Sequence, residues 1–372
     1  MVIQRRLAPA ISADLSRKLV LLSGPRQVGK TTLARAVEDG AEYLNYDILT
    51  HRRRIQREEW DRERSLLILD ELHKMRGWKG WLKGVWDGRE PIQKILVTGS
   101  SRLDTFRRAG DSLAGRFFHH QLHPFTVREL RGRFDPRAAV GRLLLRGGFP
   151  EPLLATSDDE AERWRTSHLD RIVRDDVDAI ERVRDVRQLE LLVELLSERV
   201  GSNVSYQNLA EDLTVSAPTV KRWIEVLEAL CVVFTVRPYT QAQSRSLRKE
   251  PKVYFYDLGR VRGEAARLEN LVAGHLLARN SFLSSTKGQR RELHYVRDKE
   301  RREVDFLTIV DRRPEFLIEV KTADESISPA LAYYAARIEC PALQLVLTAA
   351  RASTRALARV APVASWLADL EA

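Results

Sequence analysis

Gly24-Pro25-Arg26-Gln27-Val28-Gly29-Lys30-Thr31 places two glycines, a lysine and a hydroxyl at the spacing G-x-x-x-x-G-K-[ST]. Glycines at those positions let a backbone curl until its N–H groups converge on an anion, and a helix opening at Thr31 adds the positive end of its dipole. Lys30 is then expected to reach the β- and γ-phosphates of ATP, with the Thr31 hydroxyl in the shell of a magnesium ion. Farther along, Leu66-Leu67-Ile68-Leu69-Asp70-Glu71 is an apolar run that ends in two carboxylates. Asp70 is expected to hold the magnesium shell, and Glu71 to orient or deprotonate the attacking water. Thr98 and Ser100, at the end of another apolar run, are candidates for contact with the γ-phosphate or water, and an ordinary turn accounts for them as well. Arg116 is a candidate for neutralising transition-state charge, in its own subunit or in a neighbour's, or else for a structural salt bridge, and Asp47 is a candidate for the rim of the site.

A second constellation lies near the C-terminus. Glu303-Val304-Asp305-Phe306-Leu307 and Phe316-Leu317-Ile318-Glu319-Val320-Lys321 read as the two strands of a hairpin joined through Asp311-Arg312-Arg313-Pro314. Side chains alternate along a strand, so Glu319 and Lys321 share one face, where Asp305 of the adjacent strand can meet Glu319. Two carboxylates and a lysine suit magnesium-dependent phosphodiester cleavage, Asp305 and Glu319 holding the metal and Lys321 positioning water. The same three residues also suit an ordinary polar strand edge.

Between these sites, Tyr206 to Leu213, then Thr214-Val215-Ser216, then Ala217 to Ile224 has helix-turn-helix grammar. Ser216 is a good N-cap, Pro218 suits a first turn, and Val220, Ile224 and Leu227 mark a buried stripe. Thr214 stands where the turn usually prefers glycine. Thr219, Lys221 and Arg222 would face DNA, and a hairpin after Val232 to Val236 would form a wing bringing Arg245, Arg248, Lys249 and Lys252 to phosphates. The same module can instead serve as a protein–protein spacer.

The elements that must position these groups follow from hydrophobic periodicity. Leu19 to Leu22, Tyr43 to Tyr46, Leu66 to Leu69 and Lys94 to Thr98 are short apolar runs separated by helix-length segments. They predict an α/β, doubly wound domain with a parallel sheet covered on both faces. His51 to Arg64 predicts an exposed helix, residues 129–187 a helical lid or connector, residues 188–250 a compact helical unit ending in a strand, and residues 251–372 a return to mixed α/β structure.

In a chain of 372 residues, 62 Lys+Arg against 52 Asp+Glu give a formal net charge of +10, which favours a polyanionic partner such as nucleic acid. No run approaches the ~20 apolar residues of a membrane span, and no signal-like apolar block follows Met1 to Arg6, so a soluble, cytoplasmic protein without a membrane partner is expected. Two widely separated cysteines, Cys231 and Cys340, support neither a disulfide framework nor a zinc site.

Gly24 to Thr32, Leu66 to Glu71, Thr98 to Ser101 and Ser112 to Arg116 together resemble the prokaryotic AAA-type ATP-binding proteins whose ATPase module precedes a C-terminal domain of unknown function. The resemblance implies a P-loop NTPase domain of AAA+ type over residues 1–128, with Thr32 joining the phosphate loop. It also implies a winged helix over 188–250 and a restriction-nuclease-like, PD-(D/E)XK-like core over 251–372. Glu269, on a helix from Arg267 to Arg279, resembles the extra acidic residue that precedes that core. The resulting expectation is an ATP-hydrolysing motor or switch, oligomeric and ring-like, that binds and remodels DNA. The alternatives are a magnesium-dependent nuclease licensed by ATP and a nucleotide-dependent protein-interaction switch.

Overall fold

Runs of apolar residues with no polar face have to be buried on both sides, and the first 123 residues meet that demand with a parallel sheet. The computed structural model describes residues 3–90, 92–99, 113–172, 186–240, 250–355 and 358–371. It divides into two units, Met1–His123 and Pro124–Ala372. The first unit runs α1 (Leu7–Leu15), β1 (Leu19–Ser23), α2 (Lys30–Ala36), β2 (Glu42–Asn45), α3 (Leu49–Arg57), β3 (Leu66–Asp70), α4 (Trp78–Asp87), β4 (Lys94–Thr98) and β5 (Phe117–Gln121). Its strands lie in the order β2-β3-β4-β1-β5, every pair parallel. All five residues of β1 and all five of β3 are buried. Leu19 and Leu21 of β1 and Leu67 and Leu69 of β3 pack with Ile95 and Val97 against Trp78 and Leu82 of α4.

Four of the five strands coincide with the apolar runs of the sequence. The fifth, Phe117-Phe118-His119-His120-Gln121, carries no such signal, because its fully buried His120 is accommodated by a hydrogen bond of 2.8 Å to Asp14. In the segment expected to be an exposed helix, α3 ends at Arg57 and buries Ile55 completely.

The second unit opens with α5 (Pro136–Arg146), α6 (Pro150–Leu154) and α7 (Asp158–Arg171), followed by α8 (Val186–Ser197), α9 (Tyr206–Leu213) and α10 (Ala217–Ala229). Then come β6 (Val233–Pro238), β7 (Lys252–Phe255), α11 (Glu264–Lys287), β8 (Arg291–Arg297), β9 (Glu303–Val310) and β10 (Arg313–Lys321). The unit closes with α12 (Pro329–Ala335), β11 (Ala342–Val346), β12 (Ser353–Arg355), β13 (Ala358–Pro362) and α13 (Val363–Asp369). One mixed sheet of order β12-β13-β11-β10-β9-β8-β6-β7 runs through it. The antiparallel pair β6·β7 joins the rest because Arg237 and Pro238 pair with His294 and Tyr295 of β8. That ladder crosses the 250/251 boundary expected from the sequence. Among the described residues, no helix is long and apolar enough to cross a membrane.

The helices α9 and α10 carry the caps expected of them: Ser205 and Ser216 accept hydrogen bonds from the N–H groups of Asn208 and Thr219. Between them Thr214 adopts φ 56°, ψ 41°, a left-handed conformation that crowds a β-branched side chain. Thr214→Gly should therefore stabilise the second unit by about 0.5–1 kcal/mol, the relief of steric crowding exceeding the added flexibility of the unfolded chain. A thermal midpoint that stays level or falls would contradict this account of the turn.

Candidate functional site

The C-terminal ends of β1, β3 and β4 open toward one another, and the chemistry of the first unit gathers there. After Ser23 the chain turns through Gly24 (φ +143°), Gln27 (φ +59°) and Gly29 (φ +97°) before entering α2 at Lys30. A Cβ on Gly24 would lie 2.3 Å from the carbonyl oxygen of Leu122, so no larger residue fits. Pro25 and Val28 are buried within the loop, while Arg26 is half-buried and Gln27 and Thr32 are exposed. The buried Lys30 ammonium donates to the carbonyls of Gly24 at 3.0 Å and Pro25 at 2.7 Å, so it lies folded over the loop.

Thr31 donates its hydroxyl proton to Asp70 Oδ2 at 2.8 Å. Asp70, only 2% exposed, is held from other sides as well: Tyr43 donates to Oδ2 at 2.6 Å, and Thr98 donates to Oδ1. The register explains the meeting, since Asp70 pairs with Asn45 on one side and with Thr98 on the other. Burial and the bond to Asp70 push the Tyr43 hydroxyl up to about 12, so it stays a donor. No sequence motif marks Tyr43 or Asn45 as part of this site. Their period-2 spacing on β2 was the available signal, but only the register with β3 aims them at Asp70. A hydroxyl beside a carboxylate is an oxygen donor set that fits a hard divalent cation such as magnesium.

Glu71 follows in a left-handed conformation, φ 56°, its N–H donating to the Thr98 carbonyl at 3.0 Å. Its carboxylate lies 3.6 Å from Lys74 Nζ and 3.7 Å from His73 Nε2. Burial raises its pKa, with Lys30 and Lys74 opposing. Asp47 forms an ion pair with Lys74 at 2.5 Å and so belongs to this rim.

Two expectations need correction. Thr98 is fully buried and its hydroxyl is committed to Asp70, so it orients that carboxylate rather than a phosphate. Arg116 sits beside Leu19 at the N-terminal edge of the sheet, its carbonyl accepting from the Leu19 N–H at 3.2 Å. The length of β1, roughly 15 Å, separates it from the phosphate loop, and its guanidinium pairs with Asp87 at 2.9 and 3.2 Å. A role in its own subunit's nucleotide site is thereby excluded. Ser100 lies outside the described residues, as do Arg245, Arg248 and Lys249.

In the second unit the hairpin β9·β10 sets Phe306 opposite Ile318, which brings Asp305 beside Glu319. Glu319 accepts from Lys321 Nζ at 2.7 Å, and Asp305 Oδ2 accepts the Val320 N–H at 2.9 Å. Glu269 of α11 enters from the side and accepts the Tyr254 hydroxyl at 2.7 Å. All four predicted polar groups therefore converge. A fifth, Lys252, was expected on the surface facing phosphates. It is instead 1% exposed, its ammonium 2.7 Å from Glu303, 3.2 Å from Glu269 and 3.6 Å from Asp305. Burial would lower the Lys252 pKa, but these carboxylates hold it well above the ordinary range.

On α10, Lys221 and Arg222 are exposed, with the exposed Glu225 between them and the next turn. Thr219 is tied into the helix cap, its hydroxyl 2.8 Å from that of Ser216.

A sequence model described as AAA domain matches residues 16–131, the stretch that holds the phosphate loop, Asp70 and Glu71. Residues 16–131 carry an AAA domain. Models of two domains of unknown function match farther along, DUF8612 over residues 137–268 and DUF4143 over residues 265–364. The chain is 29% identical to an uncharacterized protein of Mycobacterium tuberculosis (Rv2008c) and to one of Mycobacterium bovis (Mb2031c), over 265 residues that cover 70% of this chain and 59% of each relative. The match thus spans about three fifths of the length of those relatives. An uncharacterized protein of Methanocaldococcus jannaschii (MJ1637) is 27% identical over 52% of this chain and 46% of its own. Two solved structures are similar over part of their length. A signal transduction ATPase with numerous domains from Pyrococcus horikoshii has 14% identity and a TM-score of 0.29, covering 77% of this chain and 48% of its own. The Bacillus subtilis DNA clamp loader delta protein has 11% identity and a TM-score of 0.27, covering 60% and 88%. Scores this low carry no argument about function.

The two family matches in the second unit meet inside α11. Lys252 therefore comes from the DUF8612 match, and Glu269, Asp305 and Glu319 come from the DUF4143 match. Burial first and then Asp305 push Glu319 up to about 7, against Lys321, and the same two causes push Glu269 up to about 7, against Lys252. A carboxyl that holds its proton more tightly folded than unfolded stabilises the fold below its ordinary value of 4.5, and the contribution is lost as pH rises through 7. Wild-type chain should thus lose stability relative to Glu319→Gln between about pH 5 and about pH 8. Denaturation curves that stay parallel across this range would refute the assignment.

Proposed function

We propose that the chain is an ATP-hydrolysing switch or motor whose AAA domain takes up magnesium-ATP at the loop Gly24 to Thr32. The observation that carries this reading is the 2.8 Å contact between Thr31 and the buried Asp70, directly beneath a loop curled around the Lys30 ammonium. Magnesium would be held by Thr31 and Asp70, and when bound it supplies positive charge to the β- and γ-phosphate oxygens. Lys30 exchanges the carbonyls of Gly24 and Pro25 for phosphate oxygens, while the loop's N–H groups hold the remaining anionic charge. Thr98 and Tyr43 fix the orientation of Asp70. Glu71 accepts a proton from the attacking water, and its raised pKa makes it a better base than an exposed glutamate.

For the partner we favour DNA, met through α10, where Lys221 and Arg222 are exposed in a chain of formal net charge +10. Arg116, excluded from its own nucleotide site, is proposed to complete a neighbour's site in a homo-oligomer.

Lys30→Ala should abolish the heat of magnesium-ATP binding in calorimetry. Glu71→Gln should retain binding and lose about 10²–10⁴-fold in turnover; wild-type turnover in that variant would remove Glu71 from its role. ATP hydrolysis should rise on adding duplex or branched DNA, and Lys221→Ala/Arg222→Ala should cancel the rise and flatten the salt dependence of binding. Turnover indifferent to every DNA form would point to a protein partner instead.

A further inference from the structure

Lys252 opens β7, the second strand of the pair that would form the wing, yet its ammonium is buried among the acids of the nuclease-like sheet. We propose that Lys252 is a resident cation standing where a divalent metal would bind, so that the cluster is closed to magnesium and the second unit does not cleave nucleic acid. The proposal is independent of the ATPase reading.

The acids that surround Nζ come from two elements, Glu269 on α11 and Glu303 and Asp305 on β9, at 3.2, 2.7 and 3.6 Å. A hard cation held by those same oxygens at about 2.0–2.6 Å would occupy the space that Nζ fills. The charges already balance closely: against four carboxyls stand Lys252, Lys321 paired with Glu319, and Arg297 at 3.3 Å from Glu303. Entry of a dication would have to expel a buried ammonium from the carboxylates that now satisfy it.

Lys252 has little room to yield. Its backbone pairs with Val236 of β6 and bridges to Asn203, and the ring of Tyr295 lies 5.6 Å from Nζ. The acids are committed too. Asp305 Oδ2 accepts a backbone N–H, and Glu269 Oε1 accepts the Tyr254 hydroxyl. On the far side, Gly201 comes so near Glu269 that a Cβ there would lie 2.6 Å from Oε2. Glu319 Oε2 is a buried oxygen of the cluster that no hydrogen bond satisfies, and one free oxygen does not make a metal site. Among the described residues, no group of three or more His, Cys, Asp or Glu side chains is arranged to hold a metal ion. The cluster works instead as an ionic joint, tying the strand pair matched by DUF8612 to the sheet matched by DUF4143.

The test is Mn2+ binding to the nucleotide-free full chain, read by electron paramagnetic resonance, in wild type, Glu319→Gln, Lys252→Met and the double variant Lys252→Met/Asp305→Asn. Wild type and Glu319→Gln should bind Mn2+ alike, whatever the AAA domain contributes. Lys252→Met keeps most of the stem without the charge, and should gain one further Mn2+ per chain that the double variant loses at least tenfold in affinity. A wild-type Mn2+ site that disappears in Glu319→Gln would overturn the proposal, as would metal-dependent cleavage of DNA or RNA by wild type that Lys321→Ala abolishes. A folded Lys252→Met chain that gains no Mn2+ would also overturn it. Should Lys252→Met fail to fold, the comparison of wild type with Glu319→Gln and the cleavage assay still decide.

Discussion

A carboxylate taken out of water must be met by donors on every side, and Asp70 imposes that requirement on the first unit. Its partners come from α2, β2 and β4, three elements that are distant in sequence. They can meet only in a sheet whose order puts β4 between β1 and β3 and β2 outside β3. The phosphate loop therefore does not stand alone: the hydroxyl next to its lysine is anchored to the same acid that the rest of the sheet is ordered around. An apolar replacement at any donor position would leave part of the carboxylate unsatisfied, which is costlier than the loss of one average hydrogen bond.

The two buried acidic centres solve one electrostatic problem in opposite ways. Asp70 is satisfied by neutral hydroxyls, which carry no charge of their own and leave the carboxylate's charge available to a cation. The cluster around Asp305 and Glu269 is satisfied by the ammonium of Lys252, fixed to the backbone of β7. Similar residue types thus give one carboxylate ringed by neutral donors and one acidic cluster neutralised from within.

Much of the first unit was legible along the chain, because continuous apolar runs and the glycine-lysine spacing are local signals. The phosphate loop, four strands and the pairing of Asp305 with Glu319 needed only periodicity. What escaped was set by contacts between distant segments. Phe117–Gln121, the edge strand, carries two histidines and a glutamine in place of an apolar run, and its buried His120 is met by Asp14 of α1. Arg116 lies close to the loop in no sense but sequence logic, since a parallel sheet puts the start and end of each strand on opposite edges. Lys252 reads as a surface base among other bases, and only the pairing of β6 with β8 shows that its strand lies over the acids. The capping of α10 by Ser216 was readable, whereas the strain at Thr214 showed in the sequence only as a missing glycine.

The joint between α10 and the sheet is short. α10 ends at Ala229, the backbone reverses at Cys231 with φ 52°, and β6 begins at Val233 and is stitched to β8 at its far end. Such a connection transmits torque and has little slack to absorb it. A load applied to the outer face of α10 would be felt along the whole eight-stranded sheet, so this half of the molecule would behave as a lever and not as a tethered pair of beads.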